Sequence, residues 1–539
     1  MPKKEQRKRF SRPASSSSRR PQRQSERRVR EQDPNTIPSY LVNHLAQALR
    51  MVLKLDGPAD VLLSVYFKRN HELGSRDRGF VAEAVYAALR HLAGIRWRMA
   101  PAVPERSPRL AALVTLASLY GMEALDSRDV GNDRKALEAI LDKKDSDADP
   151  ATRAELPQWL YERVRSQYPD HDLFFKEIAT CAPLDIRVNL LKGKRDEVLE
   201  QLKDEGKKVV ATPISPDGIR FLDKPGITHW PLYQDGVIDV QDEGSQLIAR
   251  LVAPKRREMV CDFCAGAGGK TLAIGALMRS GGSLYAFDVN EKRLQGMVPR
   301  LRRSGLTNVH PIAIRDEHDK RLGRLLRKFD RVLIDAPCTG TGTLRRNPDL
   351  RWRLSEDELH RINEIQKSVL ESASRLVKAG GRLVYATCSV LKEENQAVVE
   401  AFLAVHPEFH LLNASEVLEG QGVKVPSEVK DRFGPWFVML PQVTGTDGFF
   451  GAILMLPAAE SLRRKPKRRP KKRKARRLRR QKPLRRLLKN RKRNKAEGGE
   501  RSWGAYLQLI KEEPAGNSCR LFFSVLSGNK KAESEDSAS

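Results

Sequence analysis

The chain has 539 residues, 99 Lys and Arg against 68 Asp and Glu, and a formal net charge of +31. That length accommodates roughly three domains of about 150 residues each. No apolar run reaches the ~18 residues of a membrane span, and the N-terminus lacks the apolar stretch of a secretory signal, so a membrane protein and a secreted one are both set aside.

The charge is concentrated. Residues 1–30 carry 12 Lys and Arg with only Glu5 and Glu26, and residues 463–495 carry 22 with no acid, which leaves the remainder close to neutral. Both stretches are too poor in large apolar side chains to build a core. They are expected to be disordered tails, over 1–36 and 458–539, that bind polyanions through counterion release. The N-terminal stretch is Arg- and Ser-rich like an organelle transit peptide but has almost no apolar residues with which to form an amphipathic face. Six cysteines, Cys181, Cys261, Cys264, Cys338, Cys388 and Cys519, show no paired spacing suited to zinc. No metal is expected, and free thiols fit a reducing cytoplasm.

Residues 37–140 read as all-helical. Leu41, Leu45, Leu49 and Val52 recur at helical spacing, and Ala59–Arg69, Asp77–Ala93 and Arg109–Tyr120 continue the pattern. Asp77 is placed as a first-turn acid favoured by the helix dipole. The polar run Lys143 to Pro150 reads as a linker. A small α+β unit follows within 141–250: Ile186–Leu190, Val209–Ala211 and Gly218–Leu222 are strand-like, Pro157–Tyr168 and Arg195–Glu205 helical, and Gln241–Val252 is a helix entering the next domain.

From 251 to 457 strands and helices alternate. Strands are expected at Met259–Phe263, Ser283–Asp288, Val309–Ile314, Phe329–Asp335 and Gly381–Thr387, and helices at Lys270–Arg279, Glu291–Ser304, Ser355–Lys378 and Glu393–His406. This is the α/β pattern of a mostly parallel sheet with helices on both faces, whose ligand lies outside the carboxyl ends of the strands. Phe437–Leu440 and Phe449–Leu456 read as a late hairpin completing it.

Four motifs fall at those strand ends. Asp262-Phe263-Cys264-Ala265-Gly266-Ala267-Gly268-Gly269-Lys270-Thr271 is a strand, a glycine-rich turn and a helix start, which lets backbone approach a ligand closely. It is not a P-loop, because Cys264 stands where that motif needs glycine. Asp288 ends the next strand, where a carboxylate commonly holds ribose hydroxyls. An adenosine-type cofactor is favoured over NAD, since the cysteines have no evident hydride-transfer role. Asp335-Ala336-Pro337-Cys338-Thr339-Gly340-Thr341-Gly342 and Tyr385-Ala386-Thr387-Cys388-Ser389 then each put a cysteine just past a sheet strand. Either thiol alone could be a small buried hydrophobe. Together they bring two thiols and the Asp335 carboxylate to the ligand edge.

On these residues, with Asp447-Gly448-Phe449-Phe450, the region 260–456 resembles the catalytic domain of the Nol/Nop/Sun family of RNA cytosine-C5 methyltransferases. Residues 37–140, through Ser75-Arg76-Asp77-Arg78, Val85-Tyr86 and Leu89-Arg90, resemble a NusB-like RNA-binding domain. Arg187-Val188-Asn189 and Val240-Gln241-Asp242-Glu243 are similar to the linker region of the bacterial members that act on small-subunit rRNA. The resemblance implies a Rossmann-like S-adenosylmethionine-dependent methyltransferase sheet, preceded by the NusB-like domain and the small α+β unit. It implies 5-methylcytosine formation in small-subunit rRNA by a monomer. Cys388 is implied as the nucleophile at C6, Cys338 as the helper for release, and Asp335 as the carboxylate holding the base. The implied cofactor contacts are Cys264, Ala265, Gly266, Ala267, Gly268, Gly269, Lys270, Asp288, Asp316 and Asp335. Asp319 is the alternative to Asp316, and Lys270 is alternatively an ordinary first-turn side chain. The family loop usually has Ala-Pro where this chain has Gly266-Ala267, which loses proline's fixed φ and loosens the turn. Two competing readings are a DNA cytosine-C5 methyltransferase using Cys338, and a non-catalytic RNA chaperone of ribosome assembly.

Overall fold

A computed structural model describes residues 36–458. The basic stretches 1–30 and 463–495, and Cys519, lie outside the described residues.

The first unit is all-helical. Ser39–Val52 buries Leu41, Val42, Leu45, Ala48, Leu49 and Val52, one face at three- and four-residue spacing. Ala59–Arg69, Ser75–Arg90, Leu92–Met99, Pro108–Tyr120 and Arg134–Leu141 close a core around Leu45, Phe67, Leu89 and Leu113. Asp77 does sit in the first turn of its helix, where its carboxylate accepts from the Gly74 N–H and the Tyr40 hydroxyl.

A small antiparallel sheet follows, with β1 (Leu184–Val188), β2 (Val209–Ala211), β3 (Gly218–Phe221) and β4 (Ile238–Val240) in the order β2-β3-β1-β4. Helix Arg195–Asp204 covers it with Val198, Leu199 and Leu202. The two motifs of this region meet across β1 and β4. Arg187 pairs with Asp239 in register, and its buried guanidinium donates to Gln241 Oε1 at 2.7 Å.

The large sheet contains β5 (Met259–Asp262), β6 (Ser283–Asp288), β7 (Val309–Ala313), β8 (Phe329–Asp335), β9 (Val377–Thr387), β10 (His410–Leu412), β11 (Phe437–Met439) and β12 (Phe449–Met455). Its order is β10-β12-β9-β8-β5-β6-β7, with β11 on β12. Strands β5 to β9 pair parallel, and β12 runs antiparallel to β9, β10 and β11. The chain order reverses at β5, which lies between β6 and β8, so the ligand crevice opens at the carboxyl ends of β5 and β8.

Two departures from the sequence expectation have packing causes. The helix expected over Ser355–Lys378 stops at Ser374, and β9 starts already at Val377. Val377 pairs with Phe329, and the strand kinks at Gly380, whose φ is +82°. The apolar residues of 154–178, expected with the small unit, are buried instead with the large sheet. Leu160, Val164, Phe174 and Ile178 share a core with Phe263, Phe329 and Leu383.

The helical unit is docked on the catalytic sheet by one turn, Leu350–Arg353. Arg351 is wholly buried and donates to the carbonyls of Glu155, Ile178 and Leu344. Trp352 Nε1 donates to Leu89 O at 2.7 Å, and Asp349 accepts from the Ala59 N–H. Among the described residues no helix is long and apolar enough to cross a membrane.

Candidate active site

The site is built from strand ends. Parallel register sets Asp335 of β8 opposite Ala386 of β9, and the Ala336 N–H continues the ladder to Ala386 O at 2.8 Å. Cys338 lies three residues past Asp335 and Cys388 two past Ala386, so the loops leave the sheet side by side. Their sulfurs are 3.4 Å apart.

A third loop locks this pair. Gly342 donates its N–H to Cys388 O at 2.8 Å, and Gly448 donates to Gly342 O at 2.8 Å. A Cβ on Gly342 would lie 2.1 Å from Gly448 O and 2.7 Å from Cys388 O, so only glycine permits this approach. The motifs at 335–342, 387–389 and 447–450 are therefore one assembly.

Beneath the cysteines lies a carboxylate that the sequence reading did not single out. Glu394 is fully buried and accepts from the Thr339 N–H (2.8 Å), Thr339 Oγ1 (2.5 Å), Gln366 Nε2 (3.0 Å) and Ser389 Oγ. Thr339 follows Cys338 and Ser389 follows Cys388, so one side chain ties both loops. Burial raises the pKa of this carboxyl group. Gln366 also donates to Pro337 O at 2.9 Å. Its sequence signal was a polar residue inside the apolar stripe Ile362, Ile365, Val369.

The glycine-rich turn sits beside them. Helix Gly269–Leu277 starts behind Gly268, whose φ is +86°, and Gly266 has φ +54°. The Gly266 N–H donates to Asp288 Oδ2 at 2.7 Å, tying the end of β6 to the turn. Ala265 N–H reaches Phe287 O at 2.8 Å, and Ala267 O accepts from Arg300 at 2.6 Å. Cys264 follows β5, and burial pushes its thiol well up. Asp316 lies three residues past β7, bonded by Arg315 and the His318 N–H, while Asp319 caps the following turn through Arg321.

Lys270 spans the two halves. Its ammonium donates to Asp335 Oδ2 at 2.6 Å. Burial opposes its charge, but the Asp335 carboxylate outweighs that and holds its pKa up, with Cys388 and Asp262 contributing from further away. The ammonium therefore lies within electrostatic reach of Cys388. The Cys338 thiol is pushed well above its usual range by the hydrogen bond to Cys388 and by burial, so it keeps its proton at neutral pH.

Asp262, the last residue of β5, was also missed as a site residue. It is 1% exposed; Oδ2 accepts from Thr271 Oγ1 at 2.7 Å, and Oδ1 is buried without a hydrogen-bond partner. Burial pushes its pKa up to about 7. An orphaned carboxylate oxygen, with Asp288 nearby keeping lone pairs to spare, is an acceptor set that fits an ammonium and ribose hydroxyls. The site thus fits S-adenosylmethionine. Among the described residues no group of three or more His, Cys, Asp or Glu could hold a metal ion.

Sheet order and glycine turn together define an S-adenosylmethionine-dependent methyltransferase. The comparisons narrow the class. Residues 249–455 match the family described as 16S rRNA methyltransferase RsmB/F, and residues 156–228 match the ferredoxin-like domain of RsmF/B-like methyltransferases. The probable ribosomal RNA small subunit methyltransferase B of Bacillus subtilis (strain 168) is 32% identical over 446 residues, covering 75% of this chain and 96% of that one. The ribosomal RNA small subunit methyltransferase B of Sodalis glossinidius (strain morsitans) is 34% identical over 300 residues, covering 55% of this chain and 64% of its own length. The crystal structure of PH0851 superposes with a TM-score of 0.64 at 28% identity, over 78% of this chain and 99% of that one. The chain belongs to the RsmB/F family of rRNA methyltransferases, as the sequence resemblance implied.

Proposed function

We propose that this enzyme methylates C5 of a cytosine in small-subunit ribosomal RNA, with Cys388 as nucleophile, Cys338 as the residue that promotes release, and Asp335 as the carboxylate that holds the base. The observation that carries this reading is the pair of thiols 3.4 Å apart beside a carboxylate at the ligand edge. Methylation of a nitrogen or a ribose oxygen needs no thiol. Carbon 5 of cytosine is too weak a nucleophile to react unaided.

Addition of the Cys388 thiolate to C6 moves the C5–C6 π pair toward C5 and N3, making C5 enamine-like. Asp335, its other oxygen held by Lys270, accepts from the exocyclic amine and orients the base, while N3 and C5 share the negative charge of the adduct until C5 takes the methyl group. The Lys270 ammonium, bonded to Asp335, stands on the Cys388 side of the pair, and the Cys338 sulfur lies 3.4 Å from that of Cys388. After C5 has gained its methyl group, the C5 proton passes to solvent water, the C5–H electron pair becomes the C5–C6 double bond, and the S–C6 bond breaks to return the Cys388 thiolate. Cys338, against the departing sulfur, assists that last step. The target base must be splayed from its loop to reach the sheet edge.

S-adenosylmethionine supplies an electrophilic methyl group on a sulfonium when bound. The turn Cys264, Ala265, Gly266, Ala267, Gly268, Gly269 would cradle it, with Asp288 on the ribose, Asp262 on the ammonium, and Asp316, Lys270 and Asp335 around it. The NusB-like helical unit and the small sheet would grip the RNA. Two adjacent working thiols need a reducing compartment, which supports a cytoplasmic enzyme.

The test is transfer of labelled methyl groups to transcribed small-subunit rRNA and to DNA of the same sequence, followed by bisulfite mapping. Label at one bisulfite-resistant cytosine of the RNA is expected. Label on another atom, or transfer to DNA alone, would sink the reading.

A further inference from the structure

A cavity of about 330 Å³ opens where three parts of the chain meet. Helix Ser75–Arg90 supplies Glu83, Tyr86 and Arg90, the segment past β3 supplies Lys224, and the catalytic domain supplies Arg345 and Arg346. Its size is that of a small-molecule site. Neither Cys338 nor Cys388 lines it, but Arg345 follows the turn Thr341–Thr343 by two residues, on the segment that carries the cysteine loop.

The lining has four cationic side chains against the single carboxylate of Glu83. Two of the four are committed to carboxylates behind the wall, Arg345 to Asp447 and Glu177 and Arg346 to Asp242 and Asp447. Arg90 is not. It is 7% exposed, forms no ion pair among the described residues, and its Nη2 donates to Arg345 O at 3.2 Å. Its guanidinium lines the cavity, and its Nε–H, turned into the wall, has no acceptor either. A guanidinium withdrawn from water with unmet donors favours an anion with several acceptor oxygens.

We propose that this cavity binds a nucleotide of the RNA substrate that flanks the target cytosine, its phosphate facing Arg90 and Lys224 and its base against the wall that holds Tyr86. The inference rests on the RNA reading above. A strand with one base at the cysteine pair passes Arg345 and Arg346 on leaving, and these stand on the same loop. A phosphate contact there positions the strand without reading its sequence. The binding site is complete only when the helical unit is docked through Arg351 and Trp352.

Cys181 lines the cavity and is exposed, which makes it a reporter. Full-length protein is alkylated with N-ethylmaleimide with and without saturating small-subunit rRNA, and each cysteine peptide is quantified by mass spectrometry. RNA should slow alkylation of Cys181 at least about fivefold. Lys224→Ala should lower the slope of log K against log salt by about 0.7–0.9, one phosphate contact. It should also raise KM for RNA roughly five- to tenfold, more than it lowers kcat. Arg90→Gln should do the same, and Lys224→Ala, on the surface, keeps the test alive if Arg90→Gln does not fold. Unchanged Cys181 reactivity with RNA bound, or an unchanged salt slope in Lys224→Ala, overturns the proposal. Equal protection by cytidine monophosphate or inorganic phosphate would overturn the RNA assignment. Normal C5 methylation with Cys181 unprotected defeats this inference and leaves the functional reading intact. Protection of Cys181 without C5 methylation upholds the cavity and defeats the functional reading.

Discussion

The sulfurs of Cys338 and Cys388 lie 3.4 Å apart although 50 residues separate them. They are inequivalent, because Lys270 lies within electrostatic reach of Cys388 while Cys338 holds its proton. Cys388→Ala should therefore abolish both methyl transfer and the covalent protein–RNA adduct. Cys338→Ala should form the adduct and release it slowly, so that it accumulates on a denaturing gel. An adduct in Cys388→Ala with full turnover in Cys338→Ala would reverse the two roles.

Gly342→Ala tests how the loops are held. Its Cβ would meet two backbone carbonyls, Gly448 O at 2.1 Å and Cys388 O at 2.7 Å, and neither can rotate away. To reach the 3.0 Å that a Cβ contact needs, the loops at Gly448 and Cys388 must together give way by about 1 Å. We expect kcat to fall on the order of 100-fold, the scale of a 1 Å misplacement. S-adenosylmethionine affinity, measured by calorimetry, should change little, because the atoms that a Cβ there would meet belong to Gly448 and Cys388 and not to the glycine-rich turn.

The sheet and its two thiols were legible because both are local signals. A strand followed by glycine or by a cysteine motif announces its own end, and parallel strands put those ends on one edge. Gly342 and Asp262 stood inside quoted motifs, yet their roles depend on what crosses the fold. Glu394 was not legible. A glutamate beside Glu393 and Asn395 reads as a solvated helix start, and it is buried only because Thr339, 55 residues away, turns two donors onto it. The same holds for Arg351, whose partners come from residues 155, 178 and 344. Net charge pointed to RNA through stretches outside the described residues, whereas the cavity at Arg90 uses buried cations that composition cannot locate.

Glu394→Gln keeps the volume of the side chain and replaces one accepting oxygen with a donor. An N–H₂ then faces Thr339 and Ser389 or Gln366, and at least one buried donor loses its acceptor. Each orphaned group costs about 1–3 kcal/mol, so the melting temperature should drop. Loss of the tie should also change the alkylation rates of Cys338 and Cys388 relative to each other. A purely structural defect would lower stability and leave that ratio unchanged.

Asp262 links cofactor binding to pH. Its carboxyl titrates near 7 when folded, against 3.8 in the unfolded reference, with burial the first cause. A raised folded value means that its contribution to stability is fully present below about pH 4 and is lost as pH rises through 7. At 1.36 kcal/mol per unit over roughly three units, the loss is on the order of 4 kcal/mol. Asp262→Asn cannot ionise, so it should be more stable than the parent at pH 8 and nearly equal to it at pH 4, as read by thermal unfolding. The same substitution removes the charge that the ammonium of S-adenosylmethionine would meet. Cofactor affinity of the parent should therefore strengthen as pH rises from 6 to 8, and that rise should flatten in Asp262→Asn. Asp262→Asn binding the cofactor as tightly as the parent at pH 8 would remove Asp262 from the cofactor site and leave its buried charge unexplained.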